Sequence, residues 1–244
     1  MELKHGYYHL IAILTVAIWG LTFISTKVLI NHGLTPQEIF ALGITQASNV
    51  SFIICTAPLL TTILSLLFYK SEKASKGLIY GSLLALMGVG LIVFNGSFVL
   101  KISPIGDLLT LLAALSWAFY SLIIKKMAGR YPTVFITRKI FFYGVLTILP
   151  AFLLHPLQPD TAVLLQPGVL FNLLFLAVLA SLICYVLWNV VLKQLGTVRA
   201  SNYIYLNPLV TMIASSLILD EKITLVALGG AACIVCGVYW AEKK

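Results

Sequence analysis

Two stretches of this chain, AIWGLTFISTKVL at residues 17–29 and LSWAFYSLIIKKM at residues 115–127, are apolar and resemble each other. Trp19 aligns with Trp117 and Lys27 aligns with Lys125, at a constant offset of 98 residues. Each stretch lies in an apolar run of about 20 residues, the length that a membrane-spanning helix requires. The pair therefore predicts a helical membrane protein that contains an internal repeat.

The repeat continues downstream at a larger offset. Five further matches lie 149 or 150 residues apart: Pro58 with Pro208, Thr61 with Thr211, Ser65 with Ser215, Gly81 with Gly230 and Gly88 with Gly237. The offset thus grows by 52 residues, from 98 to 150. Two spans of about 20 residues with their loops fill this length. We predict a shortened first repeat of three spans over residues 1–100 and a second repeat of five spans over residues 101–244.

The composition is typical of a membrane protein. Hydrophobic residues make up 60% of the 244 residues and charged residues 10%, and the mean hydropathy is +1.02. Soluble domains carry about 45–50% apolar and about 25% charged residues, so a soluble enzyme, a disordered chain and a disulfide-rich secreted module are excluded. The expected fold is an all-α, multi-pass helical bundle of eight spans in the cell membrane. The spans are Tyr8–Ile30, Ser48–Tyr69, Gly77–Phe94, Gly106–Ile124, Phe135–Leu154, Gly168–Leu192, Ala200–Leu219 and Thr224–Trp240.

Lysine and arginine are distributed unevenly between the two sides of this bundle. With the N-terminus inside, 13 of the 16 basic residues fall in cytoplasmic segments, and only Lys101 and Lys222 fall outside. Short cytoplasmic loops of membrane proteins carry such an excess of basic residues. We therefore predict that both termini are cytoplasmic. The net charge of +8 then requires no nucleic-acid partner.

The number of spans in a full repeat determines how the two repeats are related. Five is odd, so the second repeat enters the membrane from the opposite side and the repeats are inverted. Inverted repeats recur in secondary transporters, whose substrate site lies near the bilayer midplane between the two halves. The expected partners are therefore the lipid bilayer and a small-molecule substrate.

Three motifs carry a resemblance to a known family. They are AIWGLTF at residues 17–23, GDLLTLLAALSWAFY at residues 106–120, and ASNYIYLNPLV with LDEKIT within residues 200–224. Together they resemble the EamA-like family of the drug/metabolite transporter superfamily. The resemblance implies ten helices in two inverted repeats and the export or import of small metabolites. This chain departs from that pattern by the two helices missing from its first repeat.

The residues expected to form the substrate site are the polar and aromatic ones within the spans. They are Trp19, Asn49, Trp117, Tyr120, Asn189, Asn202, Tyr203 and Asn207. Polar side chains in spans normally face the protein interior, and the alternative role for each is a structural contact between helices. Pro58 and Pro208 are predicted hinges. Proline leaves the carbonyl four residues earlier without its helical N–H partner, here at Ile54 and Ile204.

Other chemistry is not evident in the sequence. We find no nucleophile–base pair, phosphate-binding loop or metal cluster, and we therefore predict neither an enzyme nor a cofactor. Cys233 and Cys236 lie in an apolar run without further ligands, which does not indicate a metal site. The four histidines lie at span edges or in loops.

These patterns favour a permease or exporter that moves small metabolites, such as amino acids or related compounds, by alternating access. The alternative is a shortened paralogue that does not transport and serves as a packing or assembly partner in the membrane. The missing helices would leave the cavity open on the side of the first repeat. A homodimer would close that opening.

Overall fold

The structure is a computed structural model that describes residues 2–32, 34, 52–68, 75–94, 104–154, 161–220 and 222–242. Within these ranges all regular elements are helices, which agrees with the predicted fold class. They are α1 (Glu2–Asn31), α2 (Ala57–Phe68), α3 (Lys76–Phe94), α4 (Pro104–Met127), α5 (Thr133–Leu154), the short α6 (Thr161–Leu164), α7 (Pro167–Leu195), α8 (residues 197–219) and α9 (Leu225–Glu242). The predicted site residue Asn49 lies outside the described ranges.

Six of these helices are long and apolar enough to cross a membrane, counted over the described ranges: α1, α3, α4, α5, α7 and α9. The other two predicted spans correspond to interrupted segments. One is Phe52–Phe68, a shorter apolar segment with a turn at Cys55 and Thr56 just before α2. The other is α8, in which a 3₁₀ turn at Tyr203–Leu206 separates Thr197–Asn202 from Asn207–Leu219. The chain is thus an all-helical protein with six candidate spans and two further apolar segments.

Helices α3 and α9 pack against each other through glycines. A Cβ atom added to Gly81 would lie 2.5 Å from the carbonyl oxygen of Gly237, and one added to Gly88 would lie 2.5 Å from that of Gly230. The contacts pair an early residue of each helix with a late residue of the other, so the two helices run antiparallel. Small residues allow helix backbones to approach this closely in membrane proteins.

Helix α1 lies at the centre of the bundle. It packs against α7 and against the second part of α8, while α4 packs against α2. Ile11 and Val16 of α1 belong to a buried core that also contains Trp188 and Leu192 of α7. Farther along the same pair, the Ser25 hydroxyl donates to the Asn172 side-chain oxygen at 2.7 Å.

The helix α7 contains a π-helical segment at Phe175–Ile183. Such segments are rare and often lie at functional sites. The indole Nε1 of Trp19 donates a 3.0 Å hydrogen bond to the carbonyl oxygen of Ala180 within this segment. The π segment therefore fixes the position of one of the two tryptophans that define the repeat.

Candidate substrate cavity

A cavity of about 340 Å³ lies between helices α1, α2, α4, α7 and α8. This volume is at the lower end of the range for small-molecule sites, about 300–1,000 Å³. The lining residues are uncharged and mostly apolar or aromatic: Trp19, Thr22, Phe23, Ile54, Ala57, Ala113, Ala114, Trp117, Tyr185, Ile204 and Asn207. The predicted site residues Trp19, Trp117 and Asn207 are thus brought together at one cavity.

The cavity lining contains pairs of residues that are equivalent in the repeat. Trp19 and Trp117 are one pair, and their rings meet edge to face with centroids 5.5 Å apart. Ile54 and Ile204 are a second pair at the offset of 150 residues. The cavity is therefore lined by two pairs of residues that match in the sequence repeat.

Aromatic rings form one wall of the cavity. Tyr185 of α7 lies 5.9 Å from Trp19 and 6.0 Å from Trp117, measured between ring centroids. Tyr120 and Trp188 extend the cluster, at 5.1 Å from Trp117 and 5.2 Å from Trp19 respectively. Edge-to-face ring pairs at these separations are favourable and rigid. Aromatic faces also attract ammonium groups.

Two polar atoms of the lining residues have no hydrogen-bond partner. They are the indole Nε1 of Trp117, which is a donor, and the side-chain Oδ1 of Asn207, which is an acceptor. The equivalent indole of Trp19 is satisfied by Ala180. A buried polar group without a partner costs about 1–3 kcal/mol. Both atoms are shielded from the cavity by neighbouring atoms, so a ligand would reach them only after a neighbouring side chain moves.

The predicted hinge prolines flank the cavity on α2 and α8. Pro58 follows the turn at Cys55 and Thr56, and Pro208 follows the 3₁₀ turn of α8. The prediction of a free carbonyl at Ile204 is wrong, because that oxygen accepts the backbone N–H of Asn207 within the 3₁₀ turn. Pro208 has no N–H to donate to the carbonyl of Ile204, four residues earlier. In the 3₁₀ turn the N–H of Asn207, three residues after Ile204, donates to that carbonyl instead.

The other predicted site residues lie away from the cavity lining. Asn189 is buried, accepts a hydrogen bond from the Tyr120 hydroxyl at 2.6 Å and donates to the Thr137 hydroxyl at 2.8 Å. This chain of bonds connects α4, α7 and α5. Asn202 is also fully buried, and its Oδ1 accepts from the Ser82 hydroxyl of α3 at 3.3 Å. Both amides make contacts between helices.

Tyr203 belongs to a second polar cluster, at the end of the bundle where α1 begins and α9 ends. Its hydroxyl lies 2.5 Å from Nδ1 of His9, and that same nitrogen lies 4.0 Å from a carboxylate oxygen of Glu242. The three residues come from α8, α1 and α9. Sequence reasoning missed this cluster because His9 and Glu242 are at opposite ends of the chain.

Sequence reasoning also left Tyr185 and Thr22 out of the candidate site, although both line the cavity. Each is a polar residue within an apolar run, which is the signal that selected Asn189 and Asn202. Polarity within a span indicates that a side chain faces protein. It does not distinguish a cavity wall from a contact between two helices.

The fold and the cavity define a multi-pass membrane protein with the architecture of a transporter. Residues 104–241, more than half of the chain, match the EamA-like transporter family. The chain therefore belongs to this family. A crystal structure with 18% sequence identity has the same fold, with a TM-score of 0.66 over 96% of this chain and 86% of its own.

Relatives along the whole chain have transporter names. A protein of Archaeoglobus fulgidus called "Uncharacterized transporter" is 29% identical over 230 residues, which cover 92% of this chain and 78% of the relative. A protein of Escherichia coli called "Probable amino-acid metabolite efflux pump" is 23% identical over 286 residues, which cover 98% and 95% of the two chains. Its namesake from Salmonella typhimurium is 26% identical over 290 residues, with the same coverage.

Proposed function

We propose that this chain is a permease that exports small zwitterionic metabolites, namely amino acids or close derivatives, by alternating access. The observation that carries the proposal is the cavity between the two repeats, with its unpaired Trp117 donor and Asn207 acceptor. A carboxylate accepts from an indole N–H, and an ammonium group donates to an amide oxygen. The names of the relatives from E. coli and S. typhimurium support this substrate class.

The lining of the cavity favours a ligand without net charge. Because none of the lining residues is acidic or basic, a ligand with a single charge would be desolvated without a counter-charge. A zwitterion brings both charges, and the rings of Trp19, Trp117 and Tyr185 offer faces to its ammonium group. The same rings suit an apolar side chain.

The mechanism rests on two inverted repeats, residues 1–100 and 101–244, with eight spans in all. Antiparallel packing of the equivalent helices α3 and α9 supports this relation, because a two-fold axis in the membrane plane reverses helix direction. Gly81 is equivalent to Gly230, and Gly88 is equivalent to Gly237. The axis would therefore turn the Gly81–Gly237 contact into the Gly88–Gly230 contact. Helices related by an axis along the membrane normal would run parallel.

The missing pair of helices is supported by alignment lengths. The match to the E. coli relative runs over 286 positions but takes in 98% of 244 residues, about 239 residues. The difference of about 47 positions is close to the 52 residues by which the repeat offset grows. We place the gap between α1 and α2, so that α5 and α7 have no counterparts in the first repeat.

Purified protein in liposomes tests the transport proposal. We expect counterflow of a radiolabelled amino acid that is weakened about tenfold by Trp117→Phe and by Asn207→Leu, since each removes one charged-group hydrogen bond, worth about 1.5–3 kcal/mol. Trp240→Phe is the matched control, because Trp240 is an exposed tryptophan of α9. The decarboxylated amine and the deaminated acid should both be poor substrates.

Two results would contradict the proposal. If the amine or the acid is carried as well as the amino acid, the zwitterion assignment is wrong. If correctly folded protein moves no member of a broad metabolite panel, the chain is a non-transporting paralogue that acts as a packing partner.

We also propose that a second copy of the chain covers α4 in the membrane. Ala113 of α4 lines the cavity and is exposed, so the cavity is not sealed at this helix. The neighbouring Leu109, Leu112 and Ile123 on that helix are exposed and apolar. A homodimer would therefore serve to close the cavity. It is not needed to pair polar groups that would otherwise face lipid. Cross-linking through Leu112→Cys in native membranes should give a dimer, and only monomer at saturating oxidant would exclude it.

A further inference from the structure

We propose that His9, Tyr203 and Glu242 form a proton-binding site that closes the cytoplasmic end of the transport pathway. The inference rests on the proposed function, because it takes the end of the bundle where α1 begins as the cytoplasmic end. The site joins three helices, so a change in its contacts changes how α1 is held against α8 and α9. Its ligand is a single proton shared between an imidazole and a carboxylate.

The geometry of the site indicates that the number of bound protons determines whether α1 is held against α9. Nδ1 of His9 contacts the Tyr203 hydroxyl and lies 4.0 Å from the Glu242 carboxylate. With one proton on the pair, either an imidazolium faces a carboxylate or a neutral imidazole accepts from a carboxylic acid. Interacting groups of this kind titrate as a pair rather than singly. In both forms His9 and Glu242 attract each other and α1 is tied to α9.

Loss of the shared proton removes this tie. A neutral His9 turns Nδ1 to accept from the Tyr203 hydroxyl, and Glu242 is left as an anion. Its side chain is only 17% exposed, and one of its oxygens, Oε1, already has no hydrogen-bond partner. Arg199 of α8 is the cation that acts electrostatically on Glu242. We therefore expect the carboxylate to move toward Arg199, which separates α1 from α9.

The surroundings contain further titratable or charged groups on every packed helix. Those at this end, in the described part of the chain, include Arg199 on α8, Lys76 and Tyr80 on α3, Lys125 and Lys126 on α4, Arg138 and Lys139 on α5, and Lys193 on α7. Lys76, Tyr80 and Lys193 are exposed. His9 and Glu242 are the partly buried pair of opposite type that can share a proton here.

A row of buried polar side chains lies behind the site on α8. Thr197, Ser201 and Asn202 are fully buried, and the two hydroxyl oxygens and the amide nitrogen Nδ2 have no hydrogen-bond partners. They precede Ile204 and Asn207, which line the cavity. Buried polar groups are nearly always paired, so unpaired ones call for an explanation. We infer that this stripe forms the inner half of the pathway and meets water or substrate when the site opens.

The test measures access to the stripe without any transport. Ser201→Cys is introduced, and a membrane-impermeant maleimide is applied to the exposed cytoplasmic face of inside-out vesicles. The labelling rate is divided by that of Lys193→Cys, an exposed position at the same end, which cancels the effect of pH on the thiol itself. A site that releases one proton changes an equilibrium at most tenfold per pH unit. We expect the normalised rate to rise about tenfold between pH 6 and pH 8.5.

Variants separate the proton site from a general loosening of the bundle. Glu242→Gln should be slow at every pH, since a neutral amide still bonds to His9 and cannot ionise. Asp220→Asn and His32→Gln are matched controls that should keep the full pH response, because both residues are exposed and lie elsewhere. Tyr203→Phe should be faster at low pH but should keep the slope, because tyrosine does not release the proton.

The results that would overturn the proposal are distinct from those that would overturn transport. A flat pH profile in the parent protein, or an unchanged slope in Glu242→Gln that elutes as a single species, would refute the proton site. Loss of amino-acid counterflow with an intact pH response would refute the substrate assignment and leave the proton site standing.

Discussion

Helices α1 and α4 are equivalent in the repeat but lie in different surroundings. Ile11 of α1 is 8% exposed, whereas its equivalent on α4, Leu109, is 51% exposed. Ser25 is 5% exposed and its equivalent, Ile123, is 55% exposed. Helix α7 covers this face of α1, and no described helix covers the same face of α4. The proposed absence of two helices from the first repeat would account for this difference.

The side chains of the two helices follow this difference. Where α1 contacts α7 it carries polar side chains such as Thr15 and Ser25, and the equivalent residues of α4 are Ala113 and Ile123. Polar side chains are tolerated within a membrane where they meet protein, and apolar ones where they meet lipid. The uncovered face of α4 is therefore suited to contact with lipid or to an apolar interface.

A large loss of stability is expected at the close contact between α3 and α9. Gly230→Ala would place a Cβ atom 2.6 Å from the carbonyl oxygen of Gly88, where only backbone can move. We expect a loss of at least about 1–3 kcal/mol in the free energy of unfolding, the usual cost of overpacking. The neighbouring Gly229→Ala is the control, because its Cβ meets nothing within 4 Å. Unfolding in mixed micelles measures both, and equal losses would mean that the two helices do not pack in this way.

The second prediction compares the covered and uncovered faces directly. Ile11→Ala should lower the free energy of unfolding by about 2–5 kcal/mol, because it leaves a cavity in the core between α1 and α7. Leu109→Ala, at the equivalent position that is exposed in the single chain, should change the free energy of unfolding of the dilute monomer by less than about 0.5 kcal/mol. A large effect of Leu109→Ala that disappears on dilution would reveal a partner chain on α4.

The third prediction concerns the two equivalent tryptophans. Trp19→Phe removes a hydrogen bond to Ala180 and should lower the unfolding free energy by about 1 kcal/mol beyond the loss of ring area. Trp117→Phe breaks no bond within the protein, so it should reduce substrate affinity more than stability. Melting curves with and without the amino acid distinguish these outcomes. A stability loss as large in Trp117→Phe would indicate that this indole is a structural donor.

The smallest effect is expected for single hydroxyls on the two helices. Ser25→Ala loses the bond to Asn172 of α7, which in membrane proteins is worth about 0.6 kcal/mol. Ser116→Ala on α4 should have less effect, since that hydroxyl bonds only to the carbonyl of Leu112 in its own helix. Paired melting measurements on the two variants test this, and a reversed order would contradict the role given to α7.

Much of the fold could be predicted from the sequence because two features are visible in it directly. They are apolar runs long enough to cross a bilayer and residues that match at a constant offset. The helices and their class follow from apolar runs, and the matched Trp19 and Trp117 line the same cavity. The predictions for Tyr203, Asn189 and Asn202 as site residues received no such support from the geometry. A polar residue within a span has several helices to face, and the sequence does not say which.

The sequence by itself determined the membrane character, the helical class and the family, because these depend on composition, period and motif order. Tertiary structure alone decided which polar atoms are left without partners and which helix faces are covered. The pairing of His9 with Glu242 and the asymmetry of α1 and α4 are of this kind. Both depend on contacts between residues far apart in the chain, which local patterns of hydrophobicity do not encode.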